Sequence, residues 1–298
     1  PAAPAAATSE PPPPTLPIAK LSLPAVAHGP ALPVAPDEAL VGRTEAGPLP
    51  IIGPDGRKPW RVYARPFDVA DKRPRVAIVV AALGLSGAMT EAAIQGLPSE
   101  VTLAFAPYSA KLSDWIEMAR AAGHEVLLNL PMEPLDYPTV DPGPKALLTS
   151  LTVEDNQDRL LWILSRGVGY VGVVDYLASR FSMSREHLKP VLESLNQRGL
   201  LYLDSRSAPR SLSPGLAVEI GIPAVIATES FDEQIGRDAI DAKLAAIERA
   251  AKKDGRAVGI GSPYPVTLER LAAWIAGLDG KGIVVAPVSA IVSTGSAP

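Results

Sequence analysis

The pattern that governs this chain is set by residues 124–134, which read HEVLLNLPMEP. The apolar run inside it is too short for a helix and is typical of a strand buried on both faces. Proline ends such a strand because it has no N–H to give to a sheet ladder. Met132 and Glu133 therefore follow the strand directly, at the sheet edge where ligands and catalytic groups of parallel α/β folds collect.

Strand and helix patterns alternate through residues 75–292. The predicted strands cover residues 76–81, 101–106, 126–130, 170–174, 200–203, 224–227, 257–260 and 282–286. The predicted helices cover residues 87–95, 109–122, 153–165, 184–197, 214–220, 235–252 and 267–278. Such alternation predicts an α/β fold with a parallel sheet. Seven to eight units favour a distorted (β/α) barrel, with an open doubly wound sheet as the alternative.

Composition divides the chain into four parts. Residues 1–36 are rich in proline and alanine and are predicted to form a disordered tether. Residues 37–73 carry turn signals and aromatic anchors and are predicted to form an irregular strap packed on the domain. Residues 74–292 form the folded domain, and residues 293–298 form a tail. We interpret the tether as a spacer from a membrane anchor that precedes residue 1; a tail without a role is the alternative.

Charge and composition exclude several classes of protein. The formal net charge of −4 leaves no basic footprint for nucleic acid. The absence of cysteine excludes disulfides, thiolate nucleophiles and Cys-ligated zinc. No apolar run approaches the ~20 residues of a membrane span, and the loop after the first strand, AALGLS, lacks the glycine pattern of a dinucleotide site.

Histidine is also rare, and the chain contains three. His28 lies in the tether, and His124 precedes a strand at the wrong end of a barrel for catalysis. His187 lies on a helix among charged residues, a pattern typical of a solvated face. None of the three is placed to bind a metal.

Six segments resemble, in order, the divergent polysaccharide deacetylases, a bacterial branch of the NodB-like carbohydrate esterase superfamily. They are VAIVVAALG (76–84), LAFAPY (103–108), GHEVLLNLPMEP (123–134), GVVDYLASRF (172–181), LDSR (203–206) and GIGSP (259–263). The resemblance covers residues 75–292. It implies a distorted barrel, polysaccharide deacetylation, and a divalent metal such as zinc held by Asp and His side chains.

The sequence departs from this family at the positions where the resemblance places the metal. Ala81 and Ala82 stand where the family has an aspartate pair. Asn129, Tyr176 and Ser262 each stand where the family has a histidine. A zinc-type site needs deprotonated ligands and an activated water. We therefore expect no metal, no other cofactor and no metal-dependent deacetylation.

Several side chains near strand ends remain candidates for binding a ligand. They are Asp204, Ser205, Glu133, Asp175, Tyr108 and Tyr264. The Asp204-Ser205 pair is the part of the family pattern that survives; it could hold a glycan hydroxyl, or Asp204 could accept backbone N–H groups of its own loop. Tyr108 and Tyr264 follow strands and are suited to stacking on sugars, whereas Trp162 lies on a helix and is more typical of core.

Two functional classes follow from these residues. The first is a silent deacetylase-like domain that binds an envelope glycan or a periplasmic protein. The second is an active carbohydrate esterase whose metal ligands have moved to other carboxylates, such as Glu133, Asp175, Asp204 and Asp232. The lost ligands favour the first, in a bacterial, periplasmic or envelope-associated protein. A third possibility is a scaffold whose cleft is vestigial. A serine hydrolase is disfavoured, because Ser262 lacks the sequence pattern of a nucleophile elbow.

Overall fold

The computed structural model describes Leu23, Val26, residues 28–45 and residues 47–292. The strands are β1 (Val41–Thr44), β2 (Gly47–Pro50), β3 (Arg75–Leu83), β4 (Thr102–Phe105), β5 (Val126–Pro131), β6 (Gly172–Tyr176), β7 (Leu201–Asp204), β8 (Ala224–Ile226), β9 (Glu229–Ser230), β10 (Arg256–Gly261) and β11 (Val284–Val285). The α-helices are α1 (Pro59–Val62), α2 (Gly87–Gly96), α3 (Leu112–Ala121), α4 (Val153–Leu164), α5 (Arg185–Gln197), α6 (Ser213–Ile220), α7 (Arg237–Asp254) and α8 (Pro265–Ala276).

The main sheet is parallel and curls into a distorted barrel. Its strand order is β8-β7-β6-β5-β4-β3-β10-β9, and β11 pairs with the start of β3. The outermost strands of this order, β8 and β9, are separated by only two residues. Ala227 N–H donates to the carbonyl of Asp204 in β7 at 2.8 Å, and Thr228 N–H donates to the carbonyl of Val258 in β10 at 2.7 Å. This segment closes the sheet, and the predicted barrel class is confirmed.

Side chains along the strands alternate between a lumen and a helix-covered outer layer. The lumen cluster is small and aliphatic and includes Ala77, Val79, Ala81, Ala104, Leu127, Val174, Leu203, Val258 and Ile260. The outer cluster contains the intervening residues, such as Ile78, Leu128, Val173 and Tyr202, packed under the helices. The lumen is therefore a filled core, and open space for a ligand is confined to its ends.

The amino end of the barrel is covered by the strap and by the 3-10 turn Val288–Ile291. Leu40, Trp60, Tyr63, Val288 and Ile291 all pack with the lumen cluster. Val288 N–H donates to the Thr102 hydroxyl at the start of β4, at 3.1 Å. The buried Glu125, just before β5, accepts the N–H groups of Arg65 at 3.1 Å and Ser289 at 3.0 Å. A site in the lumen can therefore open only at the carboxyl end.

The structure departs from the sequence predictions in the strap and tether. The strap is not irregular: β1 and β2 form an antiparallel hairpin, whose prolines are tolerated because each strand has a free edge. Residues 28–36 lie on the domain rather than in a tether, since Leu32 is buried and its N–H bonds to the Arg120 carbonyl at 2.9 Å. The predictions for residues 1–22 and 293–298 fall outside the described residues.

Smaller differences concern the ends of elements. Helix α3 begins at Leu112 rather than at residue 109. The predicted strand 224–227 corresponds to β8, and the short strand β9 that follows it at Glu229–Ser230 was not predicted. In the part of the chain that is described, no helix combines the length and apolarity required to cross a membrane.

Candidate functional site

Five positions that diverge from the resembling family meet at the carboxyl end of the barrel. They are Ala81, Ala82, Asn129, Tyr176 and Ser262, and we call them the mouth. Ala81 belongs to the lumen cluster, and each of Asn129, Tyr176 and Ser262 lies two residues beyond a lumen-facing residue of its strand. Because strand side chains return to the same face every two residues, Asn129, Tyr176 and Ser262 face the lumen, as Ala81 does. Ala82 joins the mouth through its backbone N–H, which donates to Asn129.

Asn129 is held by a single hydrogen bond. The N–H of Ala82 donates to Asn129 Oδ1 at 2.9 Å, which fixes the amide orientation because an N–H needs an acceptor. Asn129 is 2% exposed, and its Nδ2 has no hydrogen-bond partner among the described residues. A buried donor is therefore left over at the mouth.

Backbone strain is concentrated at the same edge. Among the described residues, the non-glycine residues with positive φ are Ala82 at 57°, Leu177 at 60° and Arg206 at 62°. All three lie at or just after the carboxyl ends of strands. Strain of this kind costs of order 1–3 kcal/mol per residue and persists where the surroundings enforce it, often at functional sites.

Two tyrosines complete the polar surface of the mouth. Burial raises the pKa of Tyr176, and the neighbouring Tyr264 raises it further, so the Tyr176 hydroxyl stays protonated at neutral pH. Tyr264 begins the turn before α8 and is 43% exposed. The mouth and its rim therefore present an amide, hydroxyls and methyl groups, with neither a carboxylate nor an imidazole among the five positions.

Asp175 lies on the opposite face of the sheet. It pairs with Leu130 of the outer cluster, and its Oδ2 accepts the Tyr202 hydroxyl at 2.7 Å. Its Oδ1 accepts the Ser205 N–H at 2.8 Å. Burial, together with the nearby charge of Asp204, raises the pKa of Asp175 to about 7. The residue anchors β7 and its loop from behind the sheet.

Asp204 has a similar position one strand away. It lies two residues beyond Tyr202, which belongs to the outer cluster, and so faces the helices. It accepts the Arg206 N–H at 2.6 Å and the hydroxyl of Ser213, the first residue of α6. The Ser205 hydroxyl contacts Ser207 at 2.5 Å. Both predicted ligand groups are thus used within the loop after β7.

Glu133 and Asp232 are also engaged locally. Glu133 Oε2 accepts the N–H and the hydroxyl of Thr149 at 2.5 and 2.6 Å, and Oε1 lies 3.3 Å from Arg180. Asp232 accepts the Ser262 N–H at 2.6 Å, and burial raises its pKa. Asp175 and Asp204 both hold the loop after β7, whereas Glu133 and Asp232 hold two other segments, so the four predicted carboxylates do not converge on one site.

The described residues do not fit the metal that the family resemblance implies. No group of three His, Asp or Glu side chains within them is placed to hold a metal ion. The mouth offers only neutral groups. Protein zinc sites use thiolate, imidazole or carboxylate ligands, and sites for hard cations use oxygen ligands that include carboxylates. The chemistry of the five side chains therefore argues against a metal at this position.

The two predicted stacking residues differ in access. Tyr108 packs against Trp162 with ring centroids 6.0 Å apart, and its hydroxyl accepts the Lys145 N–H at 3.2 Å. Gly143 (φ 114°) lies so close to the Tyr108 ring that a Cβ there would clash. Trp162 is half-buried against the outer core, with the Arg166 guanidinium 5.3 Å from its ring centroid. Tyr264 is therefore the more accessible aromatic.

The histidines do not contribute to the mouth. His124 is buried at the amino end, with its two ring nitrogens 2.9 and 3.0 Å from backbone carbonyls, and His28 lies beside it. The predicted solvated position of His187 is wrong: the ring is half-buried against Phe181, at 6.0 Å, and contacts the Ser184 hydroxyl at 2.8 Å. Charged sequence neighbours concealed this inward-facing position on α5.

Sequence reasoning missed the partners that hold the acids, Tyr202 and Ser213. Tyr202 lies two residues before Asp204 in a short strand, so the two share a face. The Tyr202 hydroxyl among aliphatic strand residues could have indicated this pairing, because a buried hydroxyl needs a hydrogen-bond partner. Ser213 is brought to Asp204 by the packing of α6, which no local pattern encodes.

The parallel barrel, with its candidate site at the carboxyl edge, defines an α/β domain of the deacetylase type. More particularly, the chain belongs to the divergent polysaccharide deacetylase family, whose model matches residues 78–292. An uncharacterised protein from Agrobacterium tumefaciens C58 has a similar crystal structure, with a TM-score of 0.80 and 40% identity. That match covers 83% of this chain and 100% of the other.

Curated relatives are more distant. The uncharacterised protein YibQ of Escherichia coli is 25% identical over 179 residues, which cover 60% of this chain and 55% of YibQ. An uncharacterised protein of Haemophilus influenzae is 23% identical over 188 residues, which cover 63% of this chain and 66% of that protein. The chain thus spans less than two thirds of each curated relative.

Proposed function

We propose that this chain is a catalytically silent deacetylase-like domain that binds a glycan of the bacterial envelope at its mouth. The observation that carries the proposal is the neutral composition of the five mouth positions. Metal-dependent deacetylation needs a bound cation to activate water and a carboxylate to act as base. Methyl groups, an amide and hydroxyls supply neither.

Features retained at the mouth support a binding role. Asn129 keeps an unused donor, Tyr176 keeps a protonated hydroxyl, and Tyr264 offers an exposed ring. Sugar ligands are bound through this combination of hydrogen bonds and apolar faces. Strain at Ala82 also persists, although no metal ligand at that position requires it. The envelope location rests on the family resemblance and on the Pro/Ala-rich start of the chain.

The alternative is an active esterase with relocated carboxylate ligands. The geometry argues against it, because Glu133, Asp175, Asp204 and Asp232 are each held by partners of their own. Asp175 and Asp204 would also have to cross from the outer face of the sheet to the lumen. Recruiting them would break the anchors of β7 and its loop.

The experiment uses the full chain with N-acetylated chitooligosaccharides and peptidoglycan fragments. We expect calorimetric binding without acetate release when zinc, cobalt or manganese is supplied. Tyr264→Ala should weaken binding, whereas Val69→Ala, at an exposed position remote from the carboxyl edge, should not. Turnover that chelator removes and metal restores would overturn the silent assignment. Absence of binding to every glycan would overturn the glycan ligand and direct attention to a periplasmic protein partner.

A further inference from the structure

The unused donor of Asn129 indicates what kind of atom the mouth accepts. Its Oδ1 accepts the Ala82 N–H, whereas Nδ2, which can only donate, is buried without a partner among the described residues. A buried donor without a partner destabilises the folded chain. An incoming oxygen acceptor would remove this cost, whereas a cation would be repelled by the same N–H groups.

The surrounding lumen positions agree with this polarity. The Tyr176 hydroxyl and the Ser262 hydroxyl can donate, and Ala81 contributes only a methyl group. The nearest carboxylates on β6 and β7, Asp175 and Asp204, face the outer layer and are hydrogen-bonded there. No negative side chain of these two strands competes with a ligand oxygen for the donors.

We propose that the family's former metal position is an oxygen-acceptor subsite, in which Asn129 Nδ2 donates to an uncharged carbonyl or hydroxyl oxygen of the ligand. The inference rests on the proposed binding function and names the residue and the atom type that select the ligand. Tyr176 occupies the next lumen layer towards solvent, since Val174, two residues earlier, pairs with Asn129.

Asn129→Asp is the sharpest test because it changes little else. The carboxylate keeps an acceptor for the Ala82 N–H and nearly the same volume, but it replaces the free donor with a negative oxygen. Affinity for N-acetylated chitooligosaccharide should fall at least about tenfold. Asp175→Asn makes the reverse change on the outer face of the neighbouring strand and should leave that affinity unchanged. Unaltered binding by Asn129→Asp would overturn the subsite.

A second measurement separates this inference from the proposed function. The side-chain amide signals of Asn129 can be assigned by NMR because they are missing from Asn129→Asp. Titration with acetamide, a small ligand with a carbonyl oxygen, should shift them in the wild-type chain, and zinc chloride should not. Absence of an acetamide shift, or a specific shift with zinc, would overturn the subsite even if glycans bind. An acetamide shift without glycan binding would retain the subsite and reject the glycan.

Discussion

The lumen face and the helix-covered face of the sheet carry opposite chemistry at the same carboxyl edge. On the lumen face, Asn129 and Tyr176 are neutral, and Asn129 keeps an unused donor. On the outer face, Asp175 and Asp204 are buried carboxylates with their hydrogen-bonding oxygens occupied. Asp175 and Tyr176 are adjacent in sequence yet belong to different faces. Proximity to a strand end therefore does not put a side chain in the site. What decides is whether the side chain points to the lumen face or to the outer face, and this alternates from residue to residue.

Restoring the family ligands on the lumen face should have the largest effect. The combined variant Ala81→Asp, Ala82→Asp, Asn129→His and Tyr176→His places carboxylate and imidazole groups where the neutral mouth now lies. We expect zinc binding of about one equivalent in place of none, because these are ligands of tetrahedral zinc sites. Calorimetric titration with zinc measures the change, and acetate release should recover later than binding, if at all.

The matched control places histidine on the outer face. Asp175→His combined with Asp204→His should bind no zinc at the mouth and should instead destabilise the fold. Equal zinc affinity in both combined variants would contradict the division between the two faces.

Removing an outer-face anchor should cost stability. Asp204→Ala leaves the Arg206 N–H and the Ser213 hydroxyl without their buried acceptor, at about 2–4 kcal/mol of unfolding free energy in total. Ser262→Ala, which removes only a hydroxyl on the lumen side, should cost less than about 1 kcal/mol. Urea denaturation followed by circular dichroism compares the two, and a larger loss for Ser262→Ala would reverse the assignment of anchor and mouth.

The pH dependence of stability should reflect Asp175. Its pKa is raised from 3.8 to about 7 in the folded chain, so folding takes up a proton between these values. Its contribution to stability is therefore complete below pH 3.8 and is lost as the pH rises through about 7. Asp175→Asn should flatten this decline, which urea titrations at about pH 5 and pH 8 can measure. Parallel pH profiles for the variant and the wild type would exclude Asp175 as the source.

The smallest expected effect concerns strain on the lumen side. Ala82→Gly removes the cost of a left-handed conformation, about 1–2 kcal/mol. Glycine also makes the unfolded chain more flexible, which lowers the free energy of unfolding by about 0.5–1 kcal/mol. The net result should be a gain of about 0.5 kcal/mol. Ala104→Gly, in the middle of β4, should lose about 1 kcal/mol instead. Destabilisation by Ala82→Gly would show that the methyl group has a packing role.

Much of the fold could be predicted because its strands are short apolar runs bounded by proline, glycine or polar residues. Residues 124–134 are an example, since the strand predicted over 126–130 ends at Pro131 in the structure. The hairpin of β1 and β2 was missed because its prolines weaken any strand pattern. Closure by the segment between β8 and β9 depends on bonds to β7 and β10, which are distant in sequence.

The candidate site was less predictable than the fold. The substituted mouth positions could be located from the family resemblance, and the structure brings them together. The face of the sheet on which Asp175 and Asp204 lie depends on the strand register. A short polar stretch does not fix that register to within one residue, and a shift of one residue exchanges the two faces. The free donor of Asn129 depends on the left-handed backbone of Ala82, and alanine gives no sequence signal for that conformation.

The proposed function requires that the lumen face of the carboxyl edge holds no metal. The most direct measurement is elemental analysis of the full chain, expressed with added zinc and dialysed without chelator. We expect far less than one zinc, cobalt or manganese ion per chain. About one equivalent of metal that survives dialysis and is lost in Asn129→Ala would contradict it.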